Sequence, residues 1–470
     1  MLFPTVQFAG FFALVLPTSW LLMRYRRTWK IFMIAASYYF YGSGPVDWHF
    51  VFLLALCTVW NQTFAKLMCV SRLAAYKSWL VGIAVAGDLA LLGWFKYYGF
   101  FVSNVVDFTQ RVGLPLPLPL VGVVLPTAIS FFTFQAISYV VDVKRDQTAV
   151  ISTLDFAVYL SFFPHLLAGP IVRISELVPQ FATPRNPREI EFSRAMGLIC
   201  GGLIKKVILA DFLATQLVDP VFGAPTLHSR WDVICAIYGY AVQIYCDFSG
   251  YTDIAIGLAL LLGFRFPQNF NKPYSALSVT DFWRRWHMTL SRWLRDYLYI
   301  PLGGNRHGRL QTYRNLMLTM LLGGLWHGAA WHFVIWGGLH GSALSVERRW
   351  TDNHTKGRVP FPAIISWLVT FNFVCFAWVF FRADSLGAAW QIFGQLFAGS
   401  GPSIVTLPMI LAILVGLVIN FIPPQVGISL RRAYGRMSPV GQGLAFALVI
   451  LICGAVITGP GVAPFIYFQF

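Results

Sequence analysis

Apolar runs long enough to cross about 30 Å of hydrocarbon recur along the whole chain, near residues 5–23, 78–95, 119–141, 154–172, 195–218, 231–263, 316–346, 362–381, 403–424 and 441–459. The stretch 31–65 divides into two more at Gly42-Ser43-Gly44-Pro45, which makes 12 candidates. A bilayer core offers no water to backbone N–H and C=O groups, so segments of this kind must fold as helices that satisfy themselves. The reading is an all-α polytopic membrane protein with about 10–12 transmembrane helices, a pair of the candidates entering the membrane without crossing it. Only 11% of residues are charged and the mean hydropathy is +0.64, which excludes an ordinary soluble domain. Leu2 to Met23 lacks a charged leader and a small-residue cleavage site, so it is read as the first span and not as a signal peptide.

The net charge of +16 raises the question of nucleic acid, and its distribution answers it. Basic residues gather in the loops: Arg24, Arg26, Arg27 and Lys30; Lys66, Arg72 and Lys77; Lys144 and Arg145; Arg348, Arg349, Lys356 and Arg358; Arg431, Arg432 and Arg436. That is the excess expected of cytoplasmic loops, so no nucleic-acid partner is expected and both termini are placed outside. Strict alternation then puts the very basic 264–315 stretch on the wrong side; the charge is followed there, with one segment between 154 and 263 read as re-entrant and the 316–346 run read as entering and returning at its Gly-Gly breaks. Seven cysteines without a CxxC or paired spacing read as buried thiols. No linker, low-complexity segment or internal repeat is evident, and residues 1–470 are expected to form one transmembrane domain.

Chemistry concentrates between Asp281 and Gly341. Ser278, with Asp281 three residues on, can cap a helix. On one continuous helix, Trp283, Trp286, His287, Leu290, Leu294 and Tyr297 would share a face opposite Arg284, Arg285, Arg292 and Arg295. Such a helix lies at the membrane interface, with lipid as a partner of its apolar side. His287 falls on the apolar side, either as an anchor bonded to a backbone carbonyl or as a site residue. The loop Pro301-Leu302-Gly303-Gly304-Asn305-Arg306 could present N–H groups and guanidiniums to phosphates or to anionic lipid, but it is no P-loop.

In 316–346, Gly324 with Gly328 and Gly337 with Gly341 are small-xxx-small pairs that permit close helix approach. His327 lies within a hydrocarbon-length run, where an ionisable side chain is costly to keep and is a functional candidate by default. No Asp, Glu or Cys lies between Leu316 and Val346, and His327 and His332 are five apart, so no metal is expected there. On a straight helix His340 would not share a face with His327. The remaining choices for His327 are a structural histidine and an uncoordinated imidazole suited to taking a proton from a hydroxyl.

Four segments in order carry a resemblance: SFFPHLLAGPIVR, YCDFSGYTDIAIGLALLLGFRFPQNFNKPY, WRRWHMTLSRWLRDYLYIPLGGNR and LGGLWHGAAWHFVIWGGLHG. Together they resemble the membrane-bound O-acyltransferase (MBOAT) family, nearest to its bacterial alginate O-acetylation branch; related branches acetylate peptidoglycan or cellulose or D-alanylate teichoic acid. The likeness spans essentially the whole chain, with a motif core at about 125–346 and C-terminal spans at about 362–459. It implies interfacial and re-entrant helices around a central funnel or tunnel. It also implies two catalytic histidines, which fall on His287 and His327. Asp247, Ser249 and Tyr251, with Arg284, Arg285, Trp326 and Asn305, are expected to line the substrate path, although Asp247 and Asp253 could equally form structural salt bridges to Arg284 or Arg285. His165 is expected to be structural.

The resemblance further implies a bacterial inner-membrane enzyme with no tightly bound cofactor and acetyl-CoA as the acyl-donor thioester. His327 would act as general base or form a transient acyl-histidine. A periplasmic SGNH-type acetyltransferase would be a separate partner, since no Gly-Asp-Ser motif occurs here. The alternatives are a transporter or flippase, which visible repeats would have favoured, and an acyltransferase acting on a lipid or another wall polymer.

Overall fold

The computed structural model describes residues 1–44, 48–114, 116–119, 121–353 and 361–456. Pro45, Lys356, Arg358 and the last residues of the 441–459 run lie outside that set. All regular structure among the described residues is helical, with no strand. The chain forms two compact units, Met1–Ile190 with Leu258–Pro267, and Glu191–Gly257 with Gln268 onward.

The first unit contains α1 (Val6–Leu22), α2 (Arg26–Gly42), α3 (Val51–Leu67), α4 (Lys77–Leu92), α5 (Tyr98–Arg111), α6 (Ile129–Lys144) and α7 (Thr153–Ser161). Side-chain oxygens start two of them: Thr5 accepts from the Phe8 N–H at 3.2 Å, and Ser152 from the Asp155 N–H at 3.1 Å. Helix α6 is buried on nearly every face and packs on α3 and α4. Its polar groups are therefore tied inside the protein: Tyr139 Oη–H donates to Gln62 Oε1 at 3.1 Å, and Gln62 Nε2 donates to Ile151 O at 2.8 Å.

Two expected spans of this unit are not single helices. The 119–141 run is helical only from Ile129, because Pro117, Pro119 and Pro126 deny the preceding stretch helical N–H donors; Leu120 lies outside the described residues. The 154–172 run stops at Ser161 and restarts as the single turn Phe163–Leu166, with Pro164 in its first turn.

The second unit contains α8 (Phe192–Leu203), α9 (Arg230–Leu261, up to Gly257), α10 (Val279–Trp283), α11 (Met288–Leu294), α12 (Arg309–His327), α13 (Trp331–Asn353), α14 (Ala363–Arg382), α15 (Leu386–Ala398), α16 (Leu407–Val418), α17 (Pro424–Arg436) and α18 (Pro439–Val456). Trp48–Leu67, Ser71–Arg111, Arg230–Leu261, Ala363–Arg382 and Pro439–Val456 are long and apolar enough to cross a membrane. On α18 the exposed side chains are themselves apolar, Leu444, Leu448 and Leu451 among them, as a lipid-facing helix requires.

The 316–346 run is a helical hairpin. Helix α12 ends at His327, Gly328 is extended, and α13 starts at Trp331 and returns antiparallel. A Cβ on Gly324 would stand 2.2 Å from Phe333 O, and one on Gly337 2.2 Å from Met320 O, so glycine is what lets the two backbones touch. The far ends meet as well, Arg309 Nη1 donating to Asn353 Oδ1 at 3.3 Å. Arg309, Arg314, Arg348 and Arg349 thus gather at one end of the hairpin and His327 sits at the other.

Candidate active site

The interfacial helix expected from Ser278 onward is broken at its histidine. Ser278 Oγ accepts from the Asp281 N–H at 3.1 Å and starts α10, as its sequence predicts. The chain then turns, and His287 adopts a left-handed conformation with φ +40° before α11 begins. A non-glycine residue is held there only when its surroundings insist on it. Here Asn269 does so. Its backbone carbonyl accepts from the Met288 N–H at 2.9 Å, and its Oδ1 accepts from the Thr289 N–H at 3.2 Å and the Thr289 hydroxyl at 2.8 Å. His287 Nδ1 lies 3.1 Å from the same oxygen.

The expected faces survive this break in part, with Trp283, Tyr297, Arg285 and Arg292 half-buried. Trp286, His287, Leu290 and Leu294 are buried, while Arg284 and Arg295 are exposed. The His287 ring packs edge-on to Phe248, with centroids 4.6 Å apart, and 6.4 Å from Trp326. Burial pushes this imidazole down to about 3. Its Nε2 has no hydrogen-bond partner among the described residues.

His327 closes α12 and is 4% exposed. Its ring centroid is 5.0 Å from Trp326, 5.2 Å from Trp336 and 5.2 Å from Phe381, all edge-on. Trp336 stacks on Trp378 at 5.7 Å, and Trp378 meets Trp286 at 5.0 Å. His287 and His327 therefore flank one indole, Trp326, inside a wall of tryptophan and phenylalanine. His340 joins them against expectation: its ring is 4.9 Å from Trp336, because the hairpin replaces the straight helix on which the two histidines were held apart. The Trp283 indole N–H donates to His340 Nδ1 at 3.2 Å, and His340 Nε2 and Trp336 Nε1 are buried with no partner among the described residues. A fully packed core rarely leaves so many polar atoms unmatched in one place. Among the described residues no group of three or more His, Cys, Asp or Glu lies together as a metal site would need.

The other expected site residues lie elsewhere. Asp247 pairs with Lys206 Nζ at 2.7 Å, and Lys206 also reaches Asp211 at 2.7 Å. Ser249 Oγ lies 3.0 Å from Lys205 Nζ, which also binds Asp253. The salt-bridge partners of these carboxylates are thus lysines of the 204–211 turns and not Arg284 or Arg285. The cause is the crossing of α8 and α9, where a Cβ on Gly202 would stand 2.6 Å from Gly250 O. Arg285 pairs with Asp281 at 2.8 Å, Arg284 is exposed, and Tyr251 is buried. Asn305 is exposed in the loop that precedes α12, at the hairpin end away from His327. Of the residues expected to line the substrate path, Trp326 alone touches both histidines. Asn269, Trp336, Trp378 and Phe381 are not singled out by the sequence, and His340 is considered there only to be set apart from His327, although Asn269 lies within the QNFN segment that contributed to the resemblance.

A model of the membrane-bound O-acyltransferase family matches residues 31–390, more than three quarters of the chain and every element of this site. The chain belongs to the membrane-bound O-acyltransferase family. It is accordingly a multi-pass membrane protein and an acyltransferase. Among curated proteins it is 44% identical to probable alginate O-acetylase AlgI of Pseudomonas aeruginosa over 380 residues, 80% of this chain and 70% of that protein. It is 41% identical to peptidoglycan O-acetyltransferase of Helicobacter pylori over 406 residues, 80% of this chain and 75% of that one. It is 26% identical to teichoic acid D-alanyltransferase of Bacillus subtilis over 354 residues, 71% of this chain and 86% of that one. Family membership sets the transporter reading aside.

Proposed function

We propose that this enzyme moves an acetyl group from acetyl-CoA, held on the cytoplasmic side of a bacterial inner membrane, to a hydroxyl destined for an exported polysaccharide, with His327 as general base. The observation that carries the reading is the place of His327. It is the last residue of a 19-residue helix, buried at the tip of the hairpin and walled by aromatic rings. A base that takes the hydroxyl proton becomes an imidazolium as the oxygen attacks the thioester carbonyl. The negative end of the α12 dipole stabilises that charge by about 0.3–2 kcal/mol. An acyl-histidine carries no such full positive charge once its proton has left, so the helix end favours the base. The departing thiolate then takes the proton back.

Arg309, Arg314, Arg348 and Arg349 at the opposite end of the hairpin supply the positive field that draws in a phosphate-bearing donor, with Asn305 nearby. Trp326, between the two histidines, lines the path. A separate periplasmic SGNH-type acetyltransferase completes the transfer. Two relatives favour two acceptors: an alginate-like polymer, from the O-acetylase named above, and peptidoglycan, from the Helicobacter protein.

The test is the O-acetyl content of the host's exported polysaccharide and of its wall, with wild type or His327→Ala present at equal membrane level. Loss of ester from one polymer supports the reading and names the acceptor. Unchanged acetylation with a folded His327→Ala protein overturns it.

A further inference from the structure

We infer that Asn269 is a positioning residue that holds His287 as the Nδ1–H tautomer, so that the buried Nε2 of His287 offers a lone pair to the hydroxyl of the acyl acceptor. The inference rests on the acyl-transfer reading above and goes beyond it by giving the second histidine a defined role.

The hydrogen bonds settle which atom carries the proton. The Thr289 backbone N–H points at the Asn269 side chain from 3.2 Å, and an N–H can only donate, so the atom it meets is Oδ1 and not Nδ2. That oxygen has no hydrogen of its own and also accepts from the Thr289 hydroxyl at 2.8 Å. His287 Nδ1, 3.1 Å away, must therefore be the donor of its contact. An imidazole this deeply buried, with Phe248, Phe270 and Trp326 around it, is neutral and carries one proton. With that proton on Nδ1, Nε2 is left as an acceptor.

The same logic gives His340 the opposite tautomer. The Trp283 indole donates to its Nδ1, so its single proton lies on Nε2. The site therefore contains two neutral histidines of different sense, and of these His287 is the one with a buried, unmatched lone pair. A neutral His287 cannot donate to a developing oxyanion, but it can accept a hydrogen bond from an incoming O–H. That division leaves proton abstraction to His327 and orientation of the hydroxyl to His287.

Asn269 orients the ring through this contact, while the same Oδ1 also accepts from the Thr289 N–H and hydroxyl. The left-handed turn at His287 brings Nδ1 to the Asn269 oxygen, and the bond from Met288 N–H to Asn269 O is a backbone bond that does not depend on the side chain at 269. Loss of the side-chain oxygen frees the ring to flip or to change tautomer while the backbone bracket remains.

The experiment is nitrogen NMR of the full-length protein labelled with 15N-histidine in lipid, with His287→Gln used to assign the His287 signals. Wild type is expected to give a pyridine-type Nε2 and a protonated Nδ1. Asn269→Asp, which keeps an oxygen, should give the same pattern, and Asn269→Leu a mixture of tautomers. In turnover assays Asn269→Leu should lose about 10²-fold in kcat, with KM for the acetyl donor unchanged, while Asn269→Asp stays within about tenfold of wild type. A protonated Nε2 on His287 in the wild type overturns the inference, as does a folded Asn269→Leu protein with wild-type kcat. The spectrum needs no turnover. It therefore stands or falls separately from the acyl-transfer reading, and the wild-type spectrum decides even if Asn269→Leu fails to fold.

Discussion

Replacing Gly337 by alanine drives a methyl group into the backbone of α12. The new Cβ would stand 2.2 Å from Met320 O, 2.9 Å from its carbonyl carbon and 3.1 Å from Leu321 Cα. Ordinary contact begins near 3.4 Å, so the two helices must part by about 1.2 Å, and a main-chain carbonyl cannot rotate aside as a side chain can. Overpacking of this kind costs about 1–3 kcal/mol. Alanine returns up to about 1 kcal/mol through its better helix propensity. The net loss is about 2 kcal/mol at the upper end, or about 2 °C in melting temperature for a chain of this length. The larger effect falls on the chemistry, because the hairpin carries His327 at its tip and a 1 Å misplacement costs about 10²-fold in rate. Gly338→Ala is the matched control: its Cβ would meet only Leu321 Cδ2 at 3.5 Å, and both activity and stability should be held or slightly improved. The assay is acetyl transfer by each purified variant, with thermal melting in the same detergent. Wild-type rate and melting temperature for Gly337→Ala would refute the argument that hairpin contact positions the histidine.

Lys206→Met should cost about 3–5 kcal/mol, because it strips the cation from Asp247 and leaves a carboxylate that is 3% exposed without its partner. Lys206→Met with Asp247→Asn should recover part of that loss, and melting curves that show no recovery would count against the pairing. The folded His287 titrates near 3 against an ordinary 6.5, so between those values the unfolded chain binds the extra proton. Its contribution is whole above pH 6.5 and fades as pH falls, by about 2 kcal/mol at pH 5. His287→Gln should therefore flatten the acid side of the stability curve by that amount, and an unchanged slope would contradict neutral burial of the ring.

Much of this was legible in sequence for identifiable reasons. Hydrocarbon-length runs announce helices through backbone satisfaction alone. Ser278 announces a cap through local chemistry, and His327 stands out as an ionisable group in apolar surroundings. What stayed hidden depended on tertiary partners. The break at His287 is imposed by Asn269, 18 residues away, and nothing within 278–299 signals it. The pairing of Asp247 with Lys206 depends on two helices meeting at Gly202 and Gly250, although the reading that buried carboxylates need cations held. His340 was separated from His327 by treating 316–346 as a straight rod. Gly328 ends the helix there, whereas the sequence reading puts a return at the Gly-Gly breaks, whose Gly324 and Gly337 instead pack the two helices together. Pro117, Pro119 and Pro126 mark the non-helical stretch before Ile129, a local signal that apolar length alone does not register.

The most direct test of the account is a single-turnover measurement with purified protein in lipid vesicles. Acetyl-labelled acetyl-CoA is supplied with a polysaccharide fragment and a matching periplasmic fraction, and wild type is compared with a His327→Ala protein of equal melting temperature. The account predicts labelled ester on the fragment with wild type and a loss of at least about 10²-fold with the variant. Equal ester formation by a folded His327→Ala protein would contradict it.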